Sequence, residues 1–82
     1  MPTVLRFAGL RVAIYPNDHR PAHVHVIAGG REAVFLLRCP DGPVALRGSH
    51  GFVARDLTAI VLELERALPL LCAAWRDLHG DH

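Results

Sequence analysis

The stretch Thr3-Val4-Leu5-Arg6-Phe7-Ala8-Gly9-Leu10-Arg11-Val12-Ala13-Ile14-Tyr15 decides the class of fold. Its first five residues alternate, with Thr3, Leu5 and Phe7 on one face and Arg6 on the other. Ala8-Gly9 is a tight turn. Leu10, Val12 and Ile14 then share a face, opposite Arg11 and Tyr15. Two period-two runs about a glycine turn predict a β-hairpin.

The pattern continues downstream. Residues 16–22 form a polar loop bounded by Pro16 and Pro21, each of which fixes its own φ and restricts the residue before it. Residues 23–27 read as a strand with Val24 and Val26 inward. Gly29-Gly30 is the next turn. A fourth strand is expected over 31–38, with Ala33, Phe35 and Leu37 in the core. Glu32, Val34, Leu36 and Arg38 then face outward. Pro40-Asp41-Gly42 signals another turn. Residues 44–47 are a candidate fifth strand, short and at the edge.

From residue 53 the period lengthens. Val53, Leu57, Ile60, Val61, Leu64, Leu68, Leu71, Cys72, Trp75 and Leu78 recur three and four apart, as on one face of a helix. Pro69 suits the first turn of a new helix and disfavours helical geometry at Leu68. The spacing therefore predicts helices over about 54–67 and 69–79, ended by Gly80. Strands first and helices last define one α+β domain over 1–82. Its antiparallel sheet has four strands, or five with 44–47, and two C-terminal helices cover one face. Strand parity gathers Arg6, Arg11, Tyr15, His23, His25, Glu32 and Arg38 on the opposite, wet face. Asp81-His82 reads as a frayed tail.

Eighty-two residues suffice for one modest core. No apolar run approaches the ~18 residues that a membrane span requires. The start lacks a leader pattern, so a cytoplasmic location is the expectation. In that setting Cys39 and Cys72 read as two reduced thiols. The net charge of +1 is too small to imply nucleic-acid binding by itself, although all nine basic residues are arginine. The charge is uneven: residues 1–50 carry +3 and residues 51–82 carry −2.

The densest polar chemistry lies in Pro16-Asn17-Asp18-His19-Arg20-Pro21-Ala22-His23-Val24-His25-Val26. Residues i and i+2 of a strand share a face, so His23 and His25 project side by side, with His19 and Arg20 at the loop mouth. The plainest reading is structural: the two rings bind carbonyls or carboxylates and order the loop, or lie in a protein interface. A metal site would use His23 and His25, completed by His19, His50 or Glu32, and would suit zinc or another borderline ion. A metal-independent ribonuclease would use His23 and His25 as base and acid, with Arg20 or Arg11 on the phosphorane charge. Asp18 and Glu32 are candidates to orient one of these rings. Arg11 and Tyr15 would stack on single-stranded RNA, with Arg6, His19 and Glu32 as further binding positions. No cofactor is expected beyond such a metal. Outward-facing Val34 and Leu36 would form a patch that invites a partner, and pairing of two copies through the sheet face or edge is an alternative.

Met1-Pro2-Thr3-Val4-Leu5-Arg6, Pro21-Ala22-His23-Val24-His25-Val26, Gly51-Phe52 and Trp75 together resemble the small bacterial family called domain of unknown function 4160. The resemblance runs in order along nearly the whole chain. It implies a gene beside a second small gene, the pair forming a toxin–antitoxin-like module. It also implies a protein partner encoded by that neighbour. Two departures stand out. Ser49-His50-Gly51-Phe52-Val53 occupies the place where the family pattern is Asn-Tyr-Gly-Phe-Ser. Valine at 53 cannot cap a helix, and His50 replaces the usual tyrosine.

Overall fold

The structure, a computed structural model, describes residues 3–80. The Met1-Pro2 pair and the Asp81-His82 tail lie outside the described residues. Five strands run in sequence order across one sheet, every neighbouring pair antiparallel: β1 (Thr3–Phe7), β2 (Leu10–Ala13), β3 (His23–Ala28), β4 (Arg31–Leu36) and β5 (Ala45–His50). Two helices follow, α1 (Ala54–Arg66) and α2 (Leu68–His79). This is the α+β order that the alternation predicts, with the fifth strand present. None of these helices is long and apolar enough to cross a membrane.

The first two turns explain the meander. Ala8 and Gly9 both have positive φ, as do Gly29 and Gly30. Two successive positive values match the twist of the strands they join, which lets two residues reverse the chain. The register is then fixed: Arg6 lies opposite Arg11, Ala13 opposite His25, and His25 opposite Val34.

The inner face follows the predicted parity. Val12, Ile14, Val24, Val26, Ala33, Phe35 and Leu37 join Ile60, Leu64, Leu68, Leu71, Cys72 and Trp75 in one buried cluster, with Leu5, Phe7 and Leu10 packed against it. Burying each large side chain there is worth about 1.5–3 kcal/mol relative to exposure. Glu65 ties the loop before β5 to α1 by accepting the Val44 N–H at 2.8 Å.

Several expectations need correction. Val53 and Leu78 are 55% and 46% exposed and do not belong to the core. Val53 is the N-cap of α1, and Leu78 lies in the last turn of α2, both at helix ends rather than over the sheet. β4 ends at Leu36, and Arg38 adopts a left-handed φ of 52°, so its side chain follows the loop and not the strand parity. The first helix ends at Arg66 and the second begins at Leu68, so the break is a single residue, Ala67.

The two cysteines are joined. Cys39 and Cys72 form a disulfide across 33 residues, in place of the reduced thiols expected. Cys39 opens the turn after β4 and Cys72 lies on the buried side of α2, so tertiary packing brings them together. Neither belongs to a spacing motif that would announce the bond.

Candidate functional site

The wet face is not uniformly wet. Ala13 is fully buried and His23 is 6% exposed, although both stand on the side away from the main core. A compact turn in the loop after β2 accounts for the local order. The Tyr15 N–H donates to Asp18 Oδ2 at 2.9 Å, and the Asp18 N–H donates back to the Tyr15 carbonyl at 3.0 Å. This reciprocal pair holds the Asp18 carboxylate over the first residues of β3.

There it meets both histidines. His23 Nε2 lies 3.5 Å from Asp18 Oδ1, and His25 Nε2 lies 3.3 Å from Asp18 Oδ2. The far nitrogen of each ring is also engaged. His23 Nδ1 is 2.9 Å from the Pro21 carbonyl oxygen, and His25 Nδ1 is 3.0 Å from Glu32 Oε2. The Pro21 carbonyl only accepts, so His23 Nδ1 is the donor in that bond. An ionised Glu32 likewise only accepts, so His25 donates to it from Nδ1.

Aromatic rings enclose the pair. His23 and His25 meet edge-on with centroids 5.3 Å apart, and Tyr15 stands at 4.8 Å from His25. Trp75 of α2 lies 5.3 Å from His23 and 4.1 Å from His79. His79 Nε2 is 3.2 Å from the Tyr15 carbonyl oxygen and, as its hydrogen-bond partner, donates to it. The end of α2 therefore closes one side of the cluster. Trp75 is fully buried, and its Nε1 has no hydrogen-bond partner among the described residues.

Burial pushes the Asp18 carboxyl up. The Tyr15 amide hydrogen bond and the neighbouring His25 and His23 rings pull it down, and the net result is below the ordinary carboxylate value. Asp18 is thus a carboxylate at neutral pH. Three groups that serve as metal ligands converge, with their ligand atoms all within 4.8 Å of one another.

The other expected site residues divide into two groups. Glu32 joins the cluster through His25. Tyr15 joins it through its ring and backbone. His19 and Arg20 are exposed and line, with Asn17 and Arg47, a pocket of about 260 Å³ that Asp18 and His23 of the cluster also border. Arg6 and Arg11 pair across β1 and β2, and Arg11 Nη1 donates to Thr3 Oγ1 at 3.1 Å. His50 lies at the end of β5 opposite Glu32 in the ladder. Tyr15 packs edge-on against His25. Trp75, His79 and Arg47 carry no local sign of belonging here; only the fold brings them in.

A second feature shares no residue with the cluster. Phe7, Leu10, Phe52, Ile60 and Leu62 line a groove of about 540 Å³ between the first hairpin and α1, and Asp56, Glu63 and Arg66 contribute charge to it. Leu62 is 59% exposed.

Fold and site together define a small α+β protein: an antiparallel five-stranded meander backed by two helices, with a histidine–aspartate cluster at one end of the sheet. The chain belongs to the domain of unknown function family DUF4160, whose family model matches residues 9–76. The match spans the Pro21–Val26 segment, Gly51-Phe52 and Trp75, and begins after the Met1–Arg6 opening. No curated protein and no solved structure matches the chain.

Proposed function

We propose that this chain is a protein-interaction component of a toxin–antitoxin-like two-gene module, and that its partner is the product of an adjacent small gene. The gene context is what the family resemblance implies. The observation that carries the interaction reading is the apolar groove along α1. A soluble domain has little reason to leave Leu62 exposed beside Phe7, Leu10 and Phe52, and an apolar floor within a charged rim is the usual anatomy of a docking site. The cytoplasm is the compartment such a module implies. The Cys39–Cys72 disulfide pulls against it, because such bonds persist mainly in oxidising surroundings.

The test is co-expression with the adjacent gene product, followed by size-exclusion chromatography with light scattering. One co-eluting peak supports the reading. Two separate peaks at micromolar concentration overturn it, and a doubled mass for this chain alone assigns the groove to a second copy.

A second reading has one supporting observation. Arg20 and Arg47, with His19, line the pocket of about 260 Å³ beside the loop. Two guanidinium groups in one pocket suit the phosphate of an RNA strand. Cleavage is the weaker form of this reading. Each cluster histidine commits Nδ1 to a neighbour and turns Nε2 toward the Asp18 carboxylate, so a base or acid role would have to displace that contact. Labelled single-stranded RNA incubated with wild type and His25→Ala separates the forms. A loss of ~10²-fold in cleavage would assign His25 as acid or base. Binding without cleavage would leave the phosphate pocket alone.

A further inference from the structure

We propose that Asp18, His23 and His25 form a binding site for one divalent cation of the zinc class. The inference stands independently of the interaction reading. The groove and the histidine cluster share no residue.

The hydrogen bonds set the argument. With Nδ1 of His23 committed to the Pro21 carbonyl, the neutral ring presents a lone pair at Nε2. With Nδ1 of His25 committed to Glu32, that ring does the same. Both lone pairs face a carboxylate, which has only lone pairs to offer. Three acceptors converging on one point repel unless a positive species lies between them. Nδ1 held by a carbonyl or a carboxylate is also the outer-shell arrangement that fixes the metal-binding tautomer of histidine.

Distances decide between a proton and a metal ion. A charge-assisted N–H to carboxylate bond is about 2.7–2.9 Å long. Measured to one carboxylate oxygen, Asp18 Oδ1, the His23 and His25 Nε2 separations are 3.5 and 3.4 Å, well beyond that length. Four-coordinate zinc with bonds of about 2.0–2.1 Å places its ligand atoms about 3.3–3.4 Å from one another. The observed separations are those of a tetrahedral edge. The remaining pair, the two Nε2 atoms, lies within 4.8 Å.

The surroundings suit a site and not a surface accident. The His23, His25 and Asp18 side chains are 7%, 17% and 14% exposed. Tyr15 and Trp75 pack beside the rings. Asp18 is positioned by the Tyr15 amide before any ion arrives. The pocket that Asp18 and His23 share with Arg20 and Arg47 gives solvent access to a fourth coordination position. Two histidines and one carboxylate with an open position are a ligand set shared by zinc and non-haem iron(II). Glu32 acts through His25 and is a positioning residue.

The experiment uses the full chain, stripped with chelator and titrated with Zn²⁺ and Co²⁺ at pH 7.5. Calorimetry is expected to give one equivalent bound. Co²⁺ is expected to produce visible absorption of a low-symmetry site. In ¹⁵N-resolved histidine spectra of the wild type, the Nε2 signals of His23 and His25 should move on Zn²⁺ addition while their Nδ1 signals remain protonated. Asp18→Asn and His25→Gln should each weaken binding at least tenfold. Glu32→Gln, at an exposed position, should weaken it by about 10–100-fold, the usual scale for an outer-shell partner. His50→Ala should leave it unchanged. Binding weaker than ~100 μM in the wild type, or shifts confined to other histidines, overturns the proposal. The wild-type spectra decide the matter even if the ligand variants do not fold.

Discussion

Asp18 Oδ2 and His25 Nε2 lie 3.3 Å apart, each held in place by a bond its residue makes elsewhere. The Tyr15 amide fixes the first and Glu32 fixes the second. This contact organises the loop after β2 and makes Asp18 the residue on which the cluster depends.

Asp18 therefore gives the metal-free protein a pH-dependent contribution to stability. Its folded value lies below the ordinary 3.8, because the Tyr15 amide, His25 and His23 together outweigh burial. A carboxyl with a depressed folded value stabilises the fold above its unfolded value, and the contribution is lost as pH falls through the folded one. In chelator, wild type should be more stable than Asp18→Asn at pH 7. The gap should close as pH drops below about 4. Urea titrations across pH 3–7 check this, and a gap constant over the range contradicts it.

The disulfide makes stability depend on redox state. It closes a loop across 33 residues, which the chain-entropy relation converts to about 3–4 kcal/mol. The double variant Cys39→Ser, Cys72→Ser should lose about that much. Free-thiol titration of the denatured wild type should find no reactive cysteine. Two titratable thiols would contradict the bond.

Val53 offers a gain. It stands at the N-cap of α1 in extended geometry with no capping hydrogen bond, and it is 55% exposed. Val53→Ser supplies the missing acceptor at no loss of burial and should stabilise by about 1 kcal/mol. Thermal melting gives the sign directly.

Gly51 permits no side chain. Its φ is +89°, and a Cβ there would stand 2.8 Å from Arg31 Cγ and 3.3 Å from Arg31 Cα. Arg31 is itself held over the Phe52 ring at 4.9 Å. Gly51→Ala combines backbone strain with that clash and should cost about 1–3 kcal/mol. Chemical denaturation of the variant checks it.

The strands and their inner faces were legible because alternation is a local signal. Leu5, Phe7, Val12, Ile14, Val24, Val26 and Phe35 face the helices as their parity requires. β5 was only partly legible, because Arg47-Gly48-Ser49-His50 has no apolar alternation and forms a strand by pairing with β4. The pairing of His23 with His25 was readable from their i, i+2 spacing. The central place of Asp18 was not. It depends on a turn whose hydrogen bonds are set by backbone geometry in residues 15–18. Trp75 and His79 reach the cluster from the far end of the chain, and no spacing rule foretells that contact. Val53 and Leu78 fit the helical period but fall where the helix ends leave the sheet.

The central claim is that the groove along α1 docks the adjacent gene product, and the most direct measurement is capture of that partner by Leu62→Arg beside the wild type. Leu62 is 59% exposed, so the charge should leave the melting temperature of the isolated chain within a degree or two, as surface changes usually do. The account predicts that wild type and partner co-elute as one complex, and that Leu62→Arg, equally folded, elutes alone. A folded Leu62→Arg that still binds the partner with wild-type affinity would contradict it.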